Sequence, residues 1–290
     1  MTPTQVIAFL HSYSGPLHWT LARVKSATGS TPRKVGALMA IADSGQTYGS
    51  IGGGLGEAHL LAAVKQNPGL QNLQIDLRGG PNSLGICGGQ MQIDLVRPSA
   101  KQLSLVMSHL NAGFPAAPIM LGFSASHELM LQPSPTLVIA GLGHCGVALA
   151  ELARGLGYLV FGHDDRADVL CLPPSCEYTN SWEALLPRLE AHVRPNVVLL
   201  TRSNALDVEA LQHLYAWGAA RCGTLNWVSA FGYLGMMGSQ RRIRSVQNEL
   251  AFDLAGVHAP VGLQIGAETP MEIAVSIVAA LIAEKSGDSN

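Results

Sequence analysis

The hydrophobic positions of this chain change period along its length, and the changes divide it into strands and helices. Thr4 to Tyr13 place Val6, Phe9 and Leu10 on one side of a short helix. Leu17 to Ala27 reads as a strand and runs into Thr28-Gly29-Ser30-Thr31-Pro32-Arg33. Ala37 to Ala42 and Gln46 to Ile51 predict two more strands, joined by a hairpin turn at Asp43-Ser44-Gly45. A helical pattern spans Ala58 to Val64. Leu73 to Leu77 and Met91 to Leu95 alternate apolar and polar side chains, the period of half-buried strands. Lys101 to Leu110 predicts a helix. Four prolines, Pro115, Pro118, Pro133 and Pro135, then flank an apolar stretch. The domain boundary is placed there. Residues 1–113 are expected to form one domain, 114–135 a connection with some extra strand, and 136–290 a second domain.

The second domain opens with the most informative stretch of the chain. An apolar run, Leu137 to Ala140, enters the turn Gly141-x-Gly143-x-x-Gly146. A helical pattern follows, carried by Val147, Leu149, Ala150, Leu152, Ala153 and Leu156, and a second apolar run, Tyr158 to Phe161, leads to Asp164. Strand, glycine turn, helix, strand and acid is the order of a dinucleotide-binding βαβ unit. In such a unit Gly141 lets the chain leave the strand sharply, Gly143 lets a phosphate approach the backbone, and Gly146 lets the helix pack closely on the sheet. The helix start then favours an anion. A doubly wound fold with a tight turn and no nucleotide would show the same pattern.

Downstream, Trp182 to Val193 predicts a helix, Asn196 to Thr201 a strand, Val208 to Trp217 a helix, and Thr224 to Leu234 contains a further strand. Gly238 and Ser239 put a small-residue turn at that strand's carboxyl end, before a helix over Gln240 to Leu254. Thr269, Pro270 and Glu272 make a capping box for a last, almost wholly apolar helix, expected to be buried. The fold class is therefore α/β: an N-terminal α/β domain followed by a Rossmann-like, doubly wound parallel sheet.

Composition narrows the function classes. Apolar residues make up 48% of the 290 and charged ones only 13%, as suits well-buried sheets. A formal net charge of −2 gives no sign of a nucleic-acid or membrane-surface partner. With no signal-peptide pattern and no apolar run long enough to span a bilayer, a cytoplasmic protein is expected. Five scattered cysteines do not form a disulfide framework. Cys171, Cys176 and Cys222 lack zinc-ligand spacing, and Cys145, inside the glycine turn and helix start, reads as a packing residue. Cys87, bracketed by glycines in Gly85-Ile86-Cys87-Gly88-Gly89, has little bulk around it and should be approachable. The run Gly49 to Glu57 is a second strand, glycine turn, helix joint. It reads either as an anion cradle of backbone amides or as a tightly packed turn.

These segments together resemble the xanthine dehydrogenase accessory factors of the XdhC/CoxI type. The resemblance covers nearly the whole chain. It rests on Thr28 to Arg33, on Gly49 to Glu57, on Cys87-Gly88-Gly89, on Gly141-Leu142-Gly143-His144, on Asp164 with Arg166, on Tyr233 to Ser239, and on Pro260 to Ala267 running into Thr269 to Ala274. Arg202 stands where relatives often carry His, Asp165 where Pro is common, and the first glycine cluster lacks the cysteine of the CoxI-like branch. The resemblance implies an accessory protein rather than a conventional enzyme. Such a factor binds the molybdenum cofactor, protects it while a cysteine desulfurase helps install its terminal sulfur, and passes it to an apo molybdenum hydroxylase of the xanthine dehydrogenase kind. A homodimer is implied as well.

On that reading the amides of Gly52, Gly53 and Gly54 hold the phosphate or pterin, with Glu57 orienting the turn. Cys87 meets molybdenum or its terminal sulfur, as a soft thiolate suits a thiophilic metal; its alternative is a bystander thiol. Arg33 is either another anion contact or a solvated charge beside a turn. In the Rossmann half, Gly141, Gly143, His144, Gly146 and Asp164 are the candidates for NAD(P), another nucleotide, or a dinucleotide form of the cofactor. Ser239 and Arg202 lie at the same sheet edge. His144 is either a phosphate donor or a satisfied surface histidine. The competing functions are an NAD(P)-dependent oxidoreductase, for which no Tyr-x-x-x-Lys pair is evident, and a nucleotide-sensing module.

Overall fold

The alternating runs of the N-terminal half become an antiparallel sheet in the computed structural model. The structure describes residues 1–15, 18–81, 83–111, 117–119, 129–131, 134–166, 176–192 and 194–287. The chain folds as two units, Met1–Ser134 and Pro135–Asn290. The first contains α1 (Pro3–Ser12), β1 (Trp19–Thr28), β2 (Leu38–Ala42), β3 (Thr47–Gly49), α2 (Gly54–Gln66), β4 (Asn72–Asp76), β5 (Gln90–Val96) and α3 (Ala100–Asn111). A ribbon of β6 (Ala117–Ile119) and β7 (Leu129–Leu131) follows. Most of the expected connection, 114–135, lies outside the described residues.

Five strands run in the order β3-β2-β1-β5-β4, each antiparallel to its neighbour. Alternation of side chains then supplies two cores. Ala22, Val24, Met39, Ile75 and Ile93 pack with Leu60 and Val64 of α2. Leu21, Leu38 and Ala40 pack with Val6, Ile7 and Leu10 of α1 and with Leu103 and Val106 of α3. Thr2 starts α1 through a capping box with Gln5: Thr2 Oγ1 accepts the Gln5 amide at 3.2 Å, and Gln5 Oε1 accepts the Thr2 amide at 2.7 Å. Arg23 and Asp94, opposite each other across β1 and β5, form a buried ion pair at 3.1 Å. Burial makes each charge depend on the other.

The second unit contains β8 (Thr136–Ala140), α4 (His144–Gly155), β9 (Leu159–His163), β10 (Glu177–Thr179), α5 (Trp182–Leu185), β11 (Asn196–Leu199), α6 (Asn204–Cys222), β12 (Tyr233–Met236), α7 (Gln240–Glu249) and α8 (Pro270–Gly287). Its sheet, β10-β9-β8-β11-β12, is parallel throughout. Every residue of β8 is buried because both faces are covered. Leu137 and Ile139, with Val198 and Leu200, pack under α4 and α8. Val138 and Ala140, with Val197 and Leu199, pack under α5, α6 and α7. The doubly wound architecture expected from the sequence is present.

Several elements depart from their sequence pattern. The helix expected over Trp182 to Val193 is one α-turn followed by a 3₁₀ stretch, Leu186–Ala191. Pro187 has no amide hydrogen to continue an α-helical ladder. The helix expected over Val208 to Trp217 is longer at both ends, because Ser203 Oγ accepts the Leu206 amide and Gly223 ends it. The helix after Ser239 stops at Glu249, where Gln247 turns its amide group onto the Phe252 carbonyl and the Leu254 amide. The last helix is capped as expected: Glu272 Oε2 accepts the Thr269 amide, and Thr269 Oγ1 accepts that of Glu272. It is not wholly buried. Ala274, Ile277 and Leu281 face α4 and the sheet, whereas Met271, Val275 and Ile282 stay exposed.

One polar contact holds α6 and α7 to the end of β11. Arg242 Nε donates to Asp207 Oδ2 at 2.7 Å, Thr201 Oγ1 donates to Asp207 Oδ1 at 2.7 Å, and Arg242 Nη2 donates to the Thr201 carbonyl at 2.9 Å. Asp207 is fully buried. Burial pushes its carboxyl up, and Thr201 and Arg242 pull it back. Removing the guanidinium strands a buried carboxylate, so Arg242→Ala is expected to lower the unfolding free energy by about 3 kcal/mol. Urea denaturation measures this, and an unchanged midpoint would show that the pair is dispensable.

Candidate functional site

In the first unit three motifs far apart in sequence meet backbone to backbone. A Cβ on Gly29 would lie 2.6 Å from the Gly88 carbonyl oxygen, and one on Gly89 would lie 2.5 Å from that of Thr28. A Cβ on Gly52 would lie 2.4 Å from Pro32 Cγ. These contacts close to van der Waals limits only because the residues are glycines. Leu77 exchanges amide and carbonyl bonds with Gly88 and Gly89, both at 2.8 Å, which closes the loop that carries Cys87.

The result is an open cavity of about 310 Å³. Its lining includes Gly52, Gly53, Gly54, Glu57 and Cys87, with Ile51, Leu77 and Met91 as apolar surface. The structure thus brings those five sequence-predicted residues together. Pro32 is part of the lining, but Arg33 is not; its guanidinium instead donates to the Met1 carbonyl at 3.4 Å. The Cys87 thiol is exposed.

Glu57 organises the glycine turn. Its Oε1 accepts from the Ser50 hydroxyl at 2.6 Å and from the amides of Ile51, Gly52 and Gly53 at 3.0, 3.1 and 2.8 Å. Burial raises the Glu57 carboxyl, but these four donors outweigh burial and the net direction is down. Two of the amides assigned from the sequence to an anion are therefore engaged by the protein's own carboxylate. Ser50 carried no sequence signal for this role. Oε2 makes no hydrogen bond among the described residues.

In the second unit the turn after β8 behaves as its glycine spacing requires. Gly141 has φ +103, and a Cβ there would lie 2.4 Å from the Leu200 carbonyl oxygen. A Cβ on Gly146 would lie 2.1 Å from the Gly141 carbonyl oxygen, so α4 sits against its own entry turn. Gly143 is the N-cap of α4 and faces open space.

A crevice of about 110 Å³ lies where the strand order reverses, at the carboxyl ends of β8, β9 and β11. Gly141, Gly143, Asp164 and Arg202 line it, as do His163 and Trp182, which the sequence reading missed. The only signal for His163 was its place directly before the acid at the end of β9. His144 is exposed on the first turn of α4 and outside the lining; Gly146 is buried beneath the turn. Ser239 is the N-cap of α7, accepting the Arg242 amide at 3.3 Å, and is also outside the lining.

Asp164 is fully engaged. Oδ1 accepts from the Arg166 amide and Nε at 3.1 and 2.7 Å, and Oδ2 from the Leu142 amide and Arg166 Nη2 at 2.7 and 2.8 Å. A carboxylate offers about four acceptor sites, so a ribose hydroxyl must displace one of these donors. Burial raises the Asp164 carboxyl, yet Arg166 and the Leu142 amide hold it well below the usual carboxylate range. Asp165 pairs with Arg202 at 2.6 Å at the crevice mouth.

Cys145 and Cys176 are half-buried, and burial pushes both thiols up. Cys222 is half-buried as well, and Cys171 lies outside the described residues. Among the described residues no group of three or more His, Cys, Asp or Glu side chains could hold a metal ion, and no helix is long and apolar enough to cross a membrane.

An antiparallel α/β unit followed by a doubly wound parallel sheet, with glycine turns at a cavity in one and a crevice in the other, defines the class: a two-unit protein with a Rossmann-type C-terminal half. Residues 137–281 match the XdhC Rossmann domain, and residues 17–67 match the XdhC and CoxI family. The chain belongs to the XdhC family. It is 28% identical over 285 residues to the uncharacterized protein YqeB of Escherichia coli K12, covering 92% of this chain and 44% of that protein. It is 28% identical over 162 residues to a probable xanthine dehydrogenase subunit from Bacillus subtilis 168, covering 52% of this chain and 43% of that protein. The chain spans less than half the length of either relative. A crystal structure of a xanthine dehydrogenase from Bacillus halodurans shares the fold, with a TM-score of 0.77 over 99% of this chain and 96% of that one at 22% identity.

The geometry of the glycine turn makes a direct prediction. Glu57→Ala leaves three amides without their shared acceptor and is expected to lower stability by about 2 kcal/mol at pH 7. Because the folded-state carboxyl is lowered, its contribution is complete above the ordinary glutamate value and lost as pH falls through the lowered one. Urea unfolding of wild type and Glu57→Ala at neutral and acidic pH should show the gap closing on acidification; a gap that widens would refute the assignment.

Proposed function

We propose that this protein is an accessory factor of a xanthine dehydrogenase-type molybdenum hydroxylase. It binds the molybdenum cofactor as cargo, supports its sulfuration and delivers it to the apo-enzyme. On this reading it turns over no substrate of its own, receives sulfur from a cysteine desulfurase and works as a homodimer. Family membership supports the accessory role. The observation that carries the cargo site is the convergence of Gly52, Gly53, Gly54, Glu57 and Cys87 on one open cavity.

The chemistry of the cargo matches that cavity in kind. A pterin is flat and largely apolar on its faces, which suits Ile51, Leu77 and Met91. Its edge carries N–H donors, which suits the Glu57 carboxylate and its uncommitted Oε2. With Glu57 in the turn, a pterin edge is better matched there than a phosphate, since two anions would repel. An exposed thiol at the mouth suits transient contact with molybdenum or its terminal sulfur, as thiolates are soft ligands. An open site also suits a carrier, which must release what it holds.

The test is retention of pterin. Purified protein is mixed with freshly released cofactor, stripped quickly of free ligand, and assayed for oxidised pterin fluorescence. Wild type should retain pterin stoichiometrically. Gly53→Val should lose it, because Gly53 has φ +76, a conformation Val resists. Cys87→Ala should retain about tenfold less, the effect of losing one ligand bond of ~1.4 kcal/mol. Full retention by Gly53→Val would remove the glycine turn from the site, full retention by Cys87→Ala would remove the thiol, and absence of pterin on wild type would end the carrier reading.

A further inference from the structure

β4 is an edge strand of the first sheet, and its pairing with β5 leaves a short run of backbone unpaired. At its two ends the Leu95 amide donates to the Gln71 carbonyl and the Leu77 amide to the Gly89 carbonyl, both at 2.8 Å. Gln71, Leu73, Ile75 and Leu77 therefore turn their backbone groups towards β5. Alternation turns the amides and carbonyls of Asn72, Gln74 and Asp76 outward. The Asp76 carbonyl is engaged there, accepting from the Leu84 amide at 2.8 Å and from the Ser83 hydroxyl at 3.1 Å. Asn72 and Gln74 differ. Both are exposed, and among the described residues no hydrogen bond reaches the outward amide or carbonyl of either.

An open strand edge is a template for another strand, and natural edges are usually closed to one by lysine, proline or a bulge. Gln71 to Ile75 carry none of these. The segment also carries no charge, so a copy laid against it meets no like charge. Its side chains sort by face. Asn72 and Gln74 stand beside Asp94 and Gln92 of β5, whereas Leu73 packs, half-buried, on the core that Ile75 shares with Leu60 of α2. A two-fold axis normal to the sheet through Leu73 keeps each face on its own side. It sets Asn72 opposite the partner's Gln74, and Gln74 opposite the partner's Asn72. One amide and one carbonyl from each of these residues, in both copies, are then satisfied in four hydrogen bonds. Leu73 meets the partner's Leu73 as a non-hydrogen-bonded pair, with Cα atoms about 4.5 Å apart. Such pairing is closed, since each copy spends the same edge on the other.

We propose that β4 is the interface between two copies of this chain, joined antiparallel about Leu73 so that their five-stranded sheets become one of ten strands. The proposal rests on the homodimer of the reading above, to which it gives a surface, and takes nothing from the cargo site. It places both α2 helices, with the glycine-turn cavities at their starts, on one side of the shared sheet.

Sedimentation equilibrium and cross-linking of the full chain test this, with circular dichroism to confirm the fold of each variant. Wild type should be a dimer. Leu73→Cys, in a Cys87→Ala background that removes the exposed thiol, should form a disulfide-linked dimer with oxidised glutathione, because about 4.5 Å between Cα atoms lies within the range a disulfide spans. Asn72→Lys with Gln74→Lys sets lysine opposite lysine and should raise the dissociation constant about tenfold or more, and it should suppress the cross-link. Asn72→Glu with Gln74→Glu should do the same alone, and an equal mixture of the lysine and glutamate variants should restore a dimer. A monomeric wild type would overturn both the interface and the homodimer, and would leave the pterin test of the cargo site standing. A dimer that the lysine pair leaves unchanged, or a folded Leu73→Cys that does not cross-link, would keep the homodimer and overturn this surface. If Leu73→Cys does not fold, the lysine and glutamate pairs, at exposed positions, decide the matter by themselves.

Discussion

The second unit depends on one close approach, that of α4 to the turn it springs from. With no side chain at Gly146, the helix lies directly on the Gly141 carbonyl, and with none at Gly141 the turn lies directly on Leu200. Three segments, β8, α4 and the end of β11, are thereby fixed within contact distance of one another. Everything at the carboxyl edge of the sheet inherits that geometry. Gly141 and Gly143 line the crevice ahead of the helix, β9 brings His163 and Asp164 to it, and the residues after β11 bring Thr201 and Arg202. A methyl group at either glycine would separate these elements rather than merely strain them.

The first unit uses the same device without a nucleotide-type turn. Gly29 against Gly88 and Gly89 against Thr28 bring two loops into backbone contact, and Gly52 admits the Pro32 ring. Loops so joined lose little further freedom on meeting a ligand, since their conformational entropy has already been spent in folding. Glu57 adds to this by gathering four donors on one oxygen. The cavity is therefore rigid at its glycine wall, while Cys87, Leu55 and Ile86 stand exposed at its rim.

What was legible in the sequence was whatever depends on neighbours along the chain. The β8-α4-β9 unit announced itself through glycine spacing and two apolar runs, and α8 through Thr269, Pro270 and Glu272. The convergence of Thr28 to Arg33, Gly49 to Glu57 and Cys87 to Gly89 was suggested by resemblance, but the contacts themselves needed the fold. Asp164 was found, yet its engagement with Arg166 depends on how the chain turns back after β9, which spacing does not specify. Asp207 and Arg242 are 35 residues apart on different helices, and no local pattern joins them. Likewise Trp182 reads as an ordinary helical aromatic until β9 places His163 beneath it.

The alternation along β8 has an evolutionary consequence. Leu137 and Ile139 serve one core while Val138 and Ala140 serve the other, and the strand is the middle of five. Inserting or deleting a single codon within it would exchange the two sets, emptying both layers at once. Lengthening a loop at the carboxyl edge disturbs neither. Descendants of this domain are thus free to remodel the segments bordering the crevice by insertion, while the strand beneath can drift only by substitution.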